Sequence, residues 1–268
     1  MITRLRIWLR QRIADLRHRV RELLRRQLRK LIEIAITDLD LMARFGDLTS
    51  SVAFERAHLG NAGSFKGRTE LYRWVLGQVA GTDGLFLEFG VYKGDSINRL
   101  AELKPDVTWH GFDSFVGLPE GWTLGAKAGA FSTHGALPVV RENVKLVAGF
   151  FEDTLPAFVA EQRASRVSVL HVDADLYSST KTILENLQGM LVPGSVIVFD
   201  ELINYPGWQD GEYRAFMEYV ERNHVAFEYM GYSRTGGQVA VRLTDASGVT
   251  PSARGEIQLK PAAGPTSP

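Results

Sequence analysis

Between Gly84 and Leu243, strand-like and helix-like runs alternate, and this alternation limits the possible folds more than any other feature of the chain. Runs rich in β-branched, aromatic and aliphatic residues fall at 85–89, 107–112, 144–148, 167–172, 195–199, 225–230 and 238–243. Helix-period patterns fill the gaps at 96–103, 154–163, 179–191 and 211–223. Parallel strands need a crossover between them, normally a helix, so the pattern predicts an α/β fold with a doubly wound parallel sheet. The last two runs are joined only by Gly231-Tyr232-Ser233-Arg234-Thr235-Gly236-Gly237, too short for a helical crossover. They are therefore expected to pair antiparallel, giving seven strands that are mostly parallel with an antiparallel final strand.

Both ends of the chain differ from this middle. Leu5, Leu9, Ile13, Leu16, Val20, Leu23, Leu24, Leu28, Leu31 and Ile34 recur at steps of three and four, the spacing of one helical face. Residues 1–30 carry eleven Arg or Lys against two acids, Asp15 and Glu22, a net +9 inside a chain whose overall charge is zero. The expected organisation is a basic amphipathic helix over 1–45, a linker or cap over 46–66, a catalytic domain over 67–243 and a disordered tail over 244–268. A regular apolar stripe beside dense positive charge points to an attachment helix, covered by a second copy in a homo-oligomer, by the globular domain itself or by an anionic membrane surface. Nucleic acid is not expected as a partner, because nothing on the helix suits base readout. The chain has no cysteine, which excludes disulfides, thiolate nucleophiles and zinc–thiolate sites and suits a reducing compartment. No window holds 18 consecutive apolar residues, and arginines interrupt any secretory h-region. The expectation is a cytoplasmic protein with possible peripheral membrane contact.

Open α/β sheets bind ligands beyond the carboxyl ends of their strands, so the polar residues there carry the chemistry. The first run ends Leu87-Glu88-Phe89-Gly90-Val91-Tyr92-Lys93-Gly94-Asp95-Ser96. Gly90 and Gly94 suit a tight strand-to-helix turn, and the helix after it offers free N–H groups to a carboxylate. Glu88 could accept a cationic amine. Tyr92 stands where the dinucleotide fingerprint needs its second glycine, so an amino-acid-like ligand suits the turn better than a pyrophosphate. Asp113, followed by Ser114, ends the second run and could receive two ribose hydroxyls. Phe150 and Phe151 end the third and could flank a purine, although packing in the core explains them equally well. Asp173, Asp200 and Glu201 end the fourth and fifth. Three carboxylates on one rim repel one another unless a cation lies between them, and an all-oxygen set favours Mg²⁺ or another hard divalent ion. Tyr205 and Trp208, just beyond this rim, are candidates for stacking on a sugar or for a packed lid.

These motifs resemble a known family. Glu88-Phe89-Gly90-Val91-Tyr92-Lys93-Gly94 looks like the first motif of metal-dependent O-methyltransferases of the catechol and caffeoyl-CoA type. Phe112-Asp113-Ser114-Phe115-Val116-Gly117-Leu118-Pro119, the run from Val172 to Thr180 and the segment from Phe199 to Phe216 are closer to macrocin-type sugar O-methyltransferases. The resemblance implies a Rossmann-like methyltransferase fold and S-adenosylmethionine as methyl donor. It implies contacts to that donor from Glu88, Phe89, Gly90, Val91, Tyr92, Gly94, Ser96, Asp113, Ser114, Phe150, Phe151 and Asp173. It further implies Asp173 as general base and metal ligand, with Asp200 and Glu201 completing the metal site. Glu201 departs from the Asp or Asn usual there. The acceptor would be a hydroxyl on a small sugar, glycoside or diol. Two other classes fit the residues less well. A nicotinamide oxidoreductase lacks the glycine that Tyr92 replaces, and a non-catalytic membrane- or nucleic-acid-associated module leaves the rim acids without a role.

Overall fold

The structure is a computed structural model describing residues 2–245 apart from 80, 124, 163 and 164, and the side chains of 16–34 and of 37 onward. Most of the proposed tail lies outside the described residues. Eight strands form one sheet: β1 (Gly63–Phe65), β2 (Leu85–Phe89), β3 (Trp109–Asp113), β4 (Val144–Ala148), β5 (Val167–Val172), β6 (Val196–Phe199), β7 (Ala226–Ser233) and β8 (Val239–Thr244). Their order is β1-β7-β8-β6-β5-β2-β3-β4. The strands from β2 to β6 pair in parallel, whereas β8 runs antiparallel to both β6 and β7. The short connection after β7 thus does what its length requires. The eighth strand is the correction to the expected seven. β1 adds parallel to the outer edge of β7, and three residues are too few for alternation to register in a sequence.

Helices α3 (Arg68–Gln78) and α4 (Asp95–Leu103) cover one face, while α5 (Phe151–Glu161), α6 (Tyr177–Leu187) and α7 (Glu212–Asn223) cover the other. On the first face Leu71, Val75, Ile97 and Leu100 pack over Phe86, Trp109 and Val198. On the second Leu155, Ile183, Leu184 and Phe216 pack over Leu87, Leu170, Ile197 and Val241. Burial on both faces explains why β2, β5 and β6 are buried along their whole length and show no apolar–polar alternation.

Two helices precede the sheet. α1 (Ile2–Thr37) is 36 residues long, and Asp38 separates it from α2 (Leu39–His58) by accepting the Leu41 N–H at 3.0 Å, an N-cap. Residues 46–66, expected as linker or cap, hold most of α2 and all of β1. α2 is strapped to the loop after β6. Trp208 Nε1 donates to Ser50 Oγ at 2.9 Å, Asn204 N–H to Ser51 Oγ at 2.9 Å and Gly207 N–H to Asp47 Oδ2 at 3.0 Å. Phe54 meets the Trp208 and Tyr213 rings edge-on at 5.2 and 5.4 Å.

Candidate active site

The carboxyl ends of β2, β3, β5 and β6 open into a cavity of about 340 Å³. Most of the expected donor residues line it: Gly90, Val91, Tyr92, Ser96, Asp113, Ser114, Phe150, Phe151 and Asp173. Glu88, Phe89 and Gly94 do not. Phe89 is fully buried, stacked on Phe112 at 4.6 Å and edge-on to Phe151 at 5.2 Å. Gly94 is the left-handed cap residue of α4, with φ 86°. Glu88 is fully buried as well. It accepts from Ser96 Oγ at 2.8 Å and lies 3.3 Å from His171 Nδ1, so its charge is matched inside the protein. Ser96, not Glu88, carries that pair to the cavity wall.

The glycine at 90 has a reason beyond ligand access. Its φ is +92°, and a Cβ there would collide with the Asp173 carbonyl. β2 and β5 are neighbours, and the Asp173 N–H donates to the Phe89 carbonyl at 2.8 Å. The Gly90 turn, which lines the cavity, and the backbone of Asp173 are therefore packed directly on each other. Asp113 joins the next turn in: Oδ2 accepts the Tyr92 N–H at 2.7 Å and Oδ1 the Phe115 N–H at 2.6 Å. Each carboxylate oxygen keeps a second lone pair for a hydroxyl, so turn capping and ribose binding are compatible. Tyr92, Phe131 and Asp175 all line the cavity with positive φ of 48°, 61° and 60°. Non-glycine residues in that region are uncommon and cluster where a site holds its backbone.

The acid rim differs from expectation in one member. Carboxylate oxygens of Asp173, Asp175 and Glu201 lie within 4.8 Å of one another. Asp200 stands beside this trio but is engaged elsewhere. Tyr72 OH donates to its Oδ1 at 2.9 Å, Gln238 Nε2 to its Oδ2 at 3.1 Å, and His171 Nε2 lies 3.6 Å from Oδ1. Asp200 and Glu201 both line the cavity, but the Asp200 oxygens are taken up by Tyr72 and Gln238. Asp175 takes the place instead, two residues beyond Asp173 and turned by its left-handed backbone.

The protein arranges two buried polar systems around this rim. His171, fully buried, sits between Glu88 and Asp200 and contacts Tyr72 OH at 2.9 Å. Burial alone would lower its pKa, but the Asp200 and Glu88 carboxylates outweigh that and raise it to about 10. The raised pKa favours the protonated imidazolium between the two acids. The second system is Glu212, absent from the sequence reading. Fully buried, it accepts the Ala174 N–H at 3.4 Å and the Glu201 N–H at 3.1 Å, tying the chain after β5 to the chain after β6. Burial raises its pKa to about 8. Burial, then Asp200, push Asp173 well above the carboxylate range, while burial, then Asp173, do the same to Glu201. Burial lifts Asp175 to about 7. Arg68, also missed, reaches the same cavity from the start of α3.

Tyr205 and Trp208 are packed and not poised for a substrate. Trp208 is 1% exposed against α2, and Tyr205 is buried with its ring 5.8 Å from that of Trp122. Trp122 and Phe131 are the aromatic residues that the 114–142 loop presents to the cavity.

The shifts have a measurable consequence. A group whose folded pKa lies above its unfolded value binds its proton more tightly when folded. Its stabilisation is complete below the unfolded pKa and is lost as pH rises through the folded one. His171 moves from 6.5 to about 10, Glu212 from 4.5 to about 8 and Asp175 from 3.8 to about 7. All three therefore lose stability with rising pH. In chelator, the melting temperature is expected to fall progressively between about pH 4 and pH 10, with the His171 share lost above about pH 6.5. His171→Gln should flatten the upper part of that fall, and a profile equally steep in the variant would contradict the assignment.

A parallel sheet closed by an antiparallel strand, with a glycine turn and an acid beyond the first two strands, is the Rossmann-like methyltransferase fold. Residues 126–226 match the family described as Macrocin-O-methyltransferase (TylF). Over 151 residues the chain is 33% identical to the 8-demethyl-8-(2,3-dimethoxy-alpha-L-rhamnosyl)-tetracenomycin-C 4'-O-methyltransferase of Streptomyces olivaceus, a match covering 45% of this chain and 54% of that protein. Over 176 residues it is 30% identical to the demethyldecarbamoylnovobiocin O-methyltransferase of Streptomyces niveus, covering 55% of this chain and 65% of the relative. The matches thus span between about half and two thirds of these curated relatives. Among solved structures, the calicheamicin methyltransferase CalS11 superposes with a TM-score of 0.53 at 26% identity, over 78% of this chain and 84% of that one. The chain is related to the macrocin-type S-adenosylmethionine-dependent O-methyltransferases.

Proposed function

We propose that this protein transfers the methyl group of S-adenosylmethionine to a hydroxyl of a sugar or glycoside. The observation that carries the reading is one cavity holding, on adjoining walls, the Gly90 turn with Asp113 and the trio Asp173, Asp175 and Glu201. Ser96 and the turn N–H groups suit the amino-acid end of the donor, Asp113 its ribose, and Phe150 and Phe151 its purine. The relatives named for rhamnosyl-tetracenomycin and novobiocin substrates support a sugar-bearing acceptor. The reaction is an in-line displacement: a C–O bond forms, the S–CH₃ bond breaks, the sulfonium becomes a neutral thioether and the hydroxyl proton leaves. Asp173 takes that proton in this reading. Among the described residues its side chain has no hydrogen-bond partner, so a carboxylate oxygen is free to accept the proton. Catalysis otherwise consists of holding donor and acceptor in line.

The trio fits a hard divalent cation such as Mg²⁺. Among the described residues Glu201 Oε2 is buried without a hydrogen-bond partner, and three crowded carboxyls are unfavourable as anions without a counter-charge. Bound there, the ion would supply Lewis acidity toward the acceptor hydroxyl. Asp200, held by Tyr72 and Gln238, lines the cavity beside the trio and adds to its negative charge. Because a cation favours the charged carboxylates, adding Mg²⁺ at about pH 8 should raise the melting temperature above that in chelator. Glu201→Gln with Asp175→Asn should abolish that rise. No difference between Mg²⁺ and chelator would remove the ion from the account.

The activity test is methyl transfer from labelled S-adenosylmethionine to a panel of deoxysugar glycosides, catechols and glycolipids, read by mass spectrometry for one added methylene. Transfer confined to vicinal-hydroxyl sugars is the expected result. Transfer to catechols alone would move the acceptor class. We also propose that α1 serves attachment and not catalysis, since none of its described residues lines the cavity.

A further inference from the structure

From the exposed faces of α1 we infer that this helix lies in the plane of an anionic membrane surface and holds the enzyme there peripherally. Leu16, Val20, Leu23, Leu24, Leu28, Leu31 and Ile34 are all exposed, between 47% and 64%. Their steps of four, three, one, four, three and three put them on one side of the helix. Large apolar side chains left this open in a row need a covering surface. In the sequence the same repeat continues upstream through Ile13, Leu9 and Leu5.

The charges decide what that surface is. At about 100° per residue, Arg19, Arg26 and Lys30 flank one border of the apolar stripe, and Arg21 flanks the other, with Arg17 just inside it. Glu22 and Glu33 fall on the far side, where Glu22 accepts from Arg25 at 2.8 Å. Each border is therefore basic while the acids sit away from the surface. A second copy of the helix packed on this stripe, parallel or antiparallel, would bring arginine against arginine along both flanks, the reverse of the mixed charges that stabilise a coiled coil. Anionic lipid headgroups neutralise both borders while the leucines enter the acyl boundary. Nucleic acid would meet the arginines but leave the stripe in water. Among the described residues, no helix is long and apolar enough to cross a membrane, which agrees with an in-plane position. The inference does not depend on how the cavity is read.

The test is co-sedimentation of the full chain with vesicles of phosphatidylcholine alone and of phosphatidylcholine mixed with phosphatidylglycerol. Binding is expected on the mixed vesicles, weak on the neutral ones and reduced by salt. Leu23→Glu with Leu28→Glu should remove it, and Arg19→Gln with Arg26→Gln should weaken it by more than about tenfold. Circular dichroism of each variant checks that the helix persists, and S-adenosylhomocysteine affinity should not change in either. Equal binding to neutral and anionic vesicles, or no binding to either, would overturn the inference. So would a concentration-dependent dimer that the leucine substitutions dissolve while vesicle binding is absent, which would make a second copy the occupant.

Discussion

Asp173→Asn is expected to lower turnover by about 10²–10⁴-fold, the usual contribution of a positioned general base, while leaving S-adenosylhomocysteine affinity nearly unchanged. The side chain is isosteric, and the backbone contacts of Asp173, its N–H to Phe89 and its carbonyl against Gly90, do not involve the carboxylate. What the substitution removes is the group placed to take the acceptor proton and one of three oxygen donors in the rim trio. Single-turnover methyl transfer and calorimetry on the same preparation separate these effects. A variant that keeps wild-type turnover would remove Asp173 from the chemistry. One that loses donor binding in parallel with turnover would make it a donor contact and not a base.

Gly90→Ala is expected to destabilise the fold by about 2–5 kcal/mol. That sum combines roughly 1–2 kcal/mol for a left-handed backbone with a side chain and 1–3 kcal/mol for overpacking. The collision is with backbone, the Asp173 carbonyl, which cannot rotate aside as a side chain could. Relief requires β2 and β5 to separate at their carboxyl ends, so the surviving folded fraction should also bind donor poorly. Gly94→Ala is the matched control. Its φ of 86° carries similar strain, but its Cβ would meet only Asn98 and Pro138 side-chain atoms at 3.3 Å. Chemical denaturation of the two variants should therefore differ by at least about 1 kcal/mol. Equal losses would mean that the contact with Asp173 does not govern the turn.

Much of this site was legible in the sequence because its residues fall at the ends of apolar runs that had to be strands. Gly90, Asp113, Asp173 and Glu201 needed only the alternation of elements and the rule that such sheets bind ligands at their carboxyl ends. The differences come from contacts between residues far apart in the chain. Glu88 reads as a ligand-facing acid until His171, from β5, is placed beside it and neutralises it. Asp200 reads as a rim acid until Tyr72 and Gln238 arrive from α3 and from the turn before β8. Asp175 carried a usable signal, an acid two residues beyond Asp173, and its left-handed backbone was the missing part. Glu212 had none, because an acid at the start of a helix ordinarily serves its dipole in solvent. Trp208 fits both a substrate platform and a packed lid in sequence, and only the position of α2 decides for packing.

The account rests on the cavity being a site for S-adenosylmethionine, and calorimetric titration with S-adenosylhomocysteine and with NAD, on wild-type protein and on Asp113→Ala, tests that most directly. The predicted result is saturable binding of S-adenosylhomocysteine and none of NAD. Asp113→Ala should weaken the former by about 1.5–3 kcal/mol per charge-assisted bond lost. Binding of NAD in place of S-adenosylhomocysteine, or of neither by a folded protein, would contradict it.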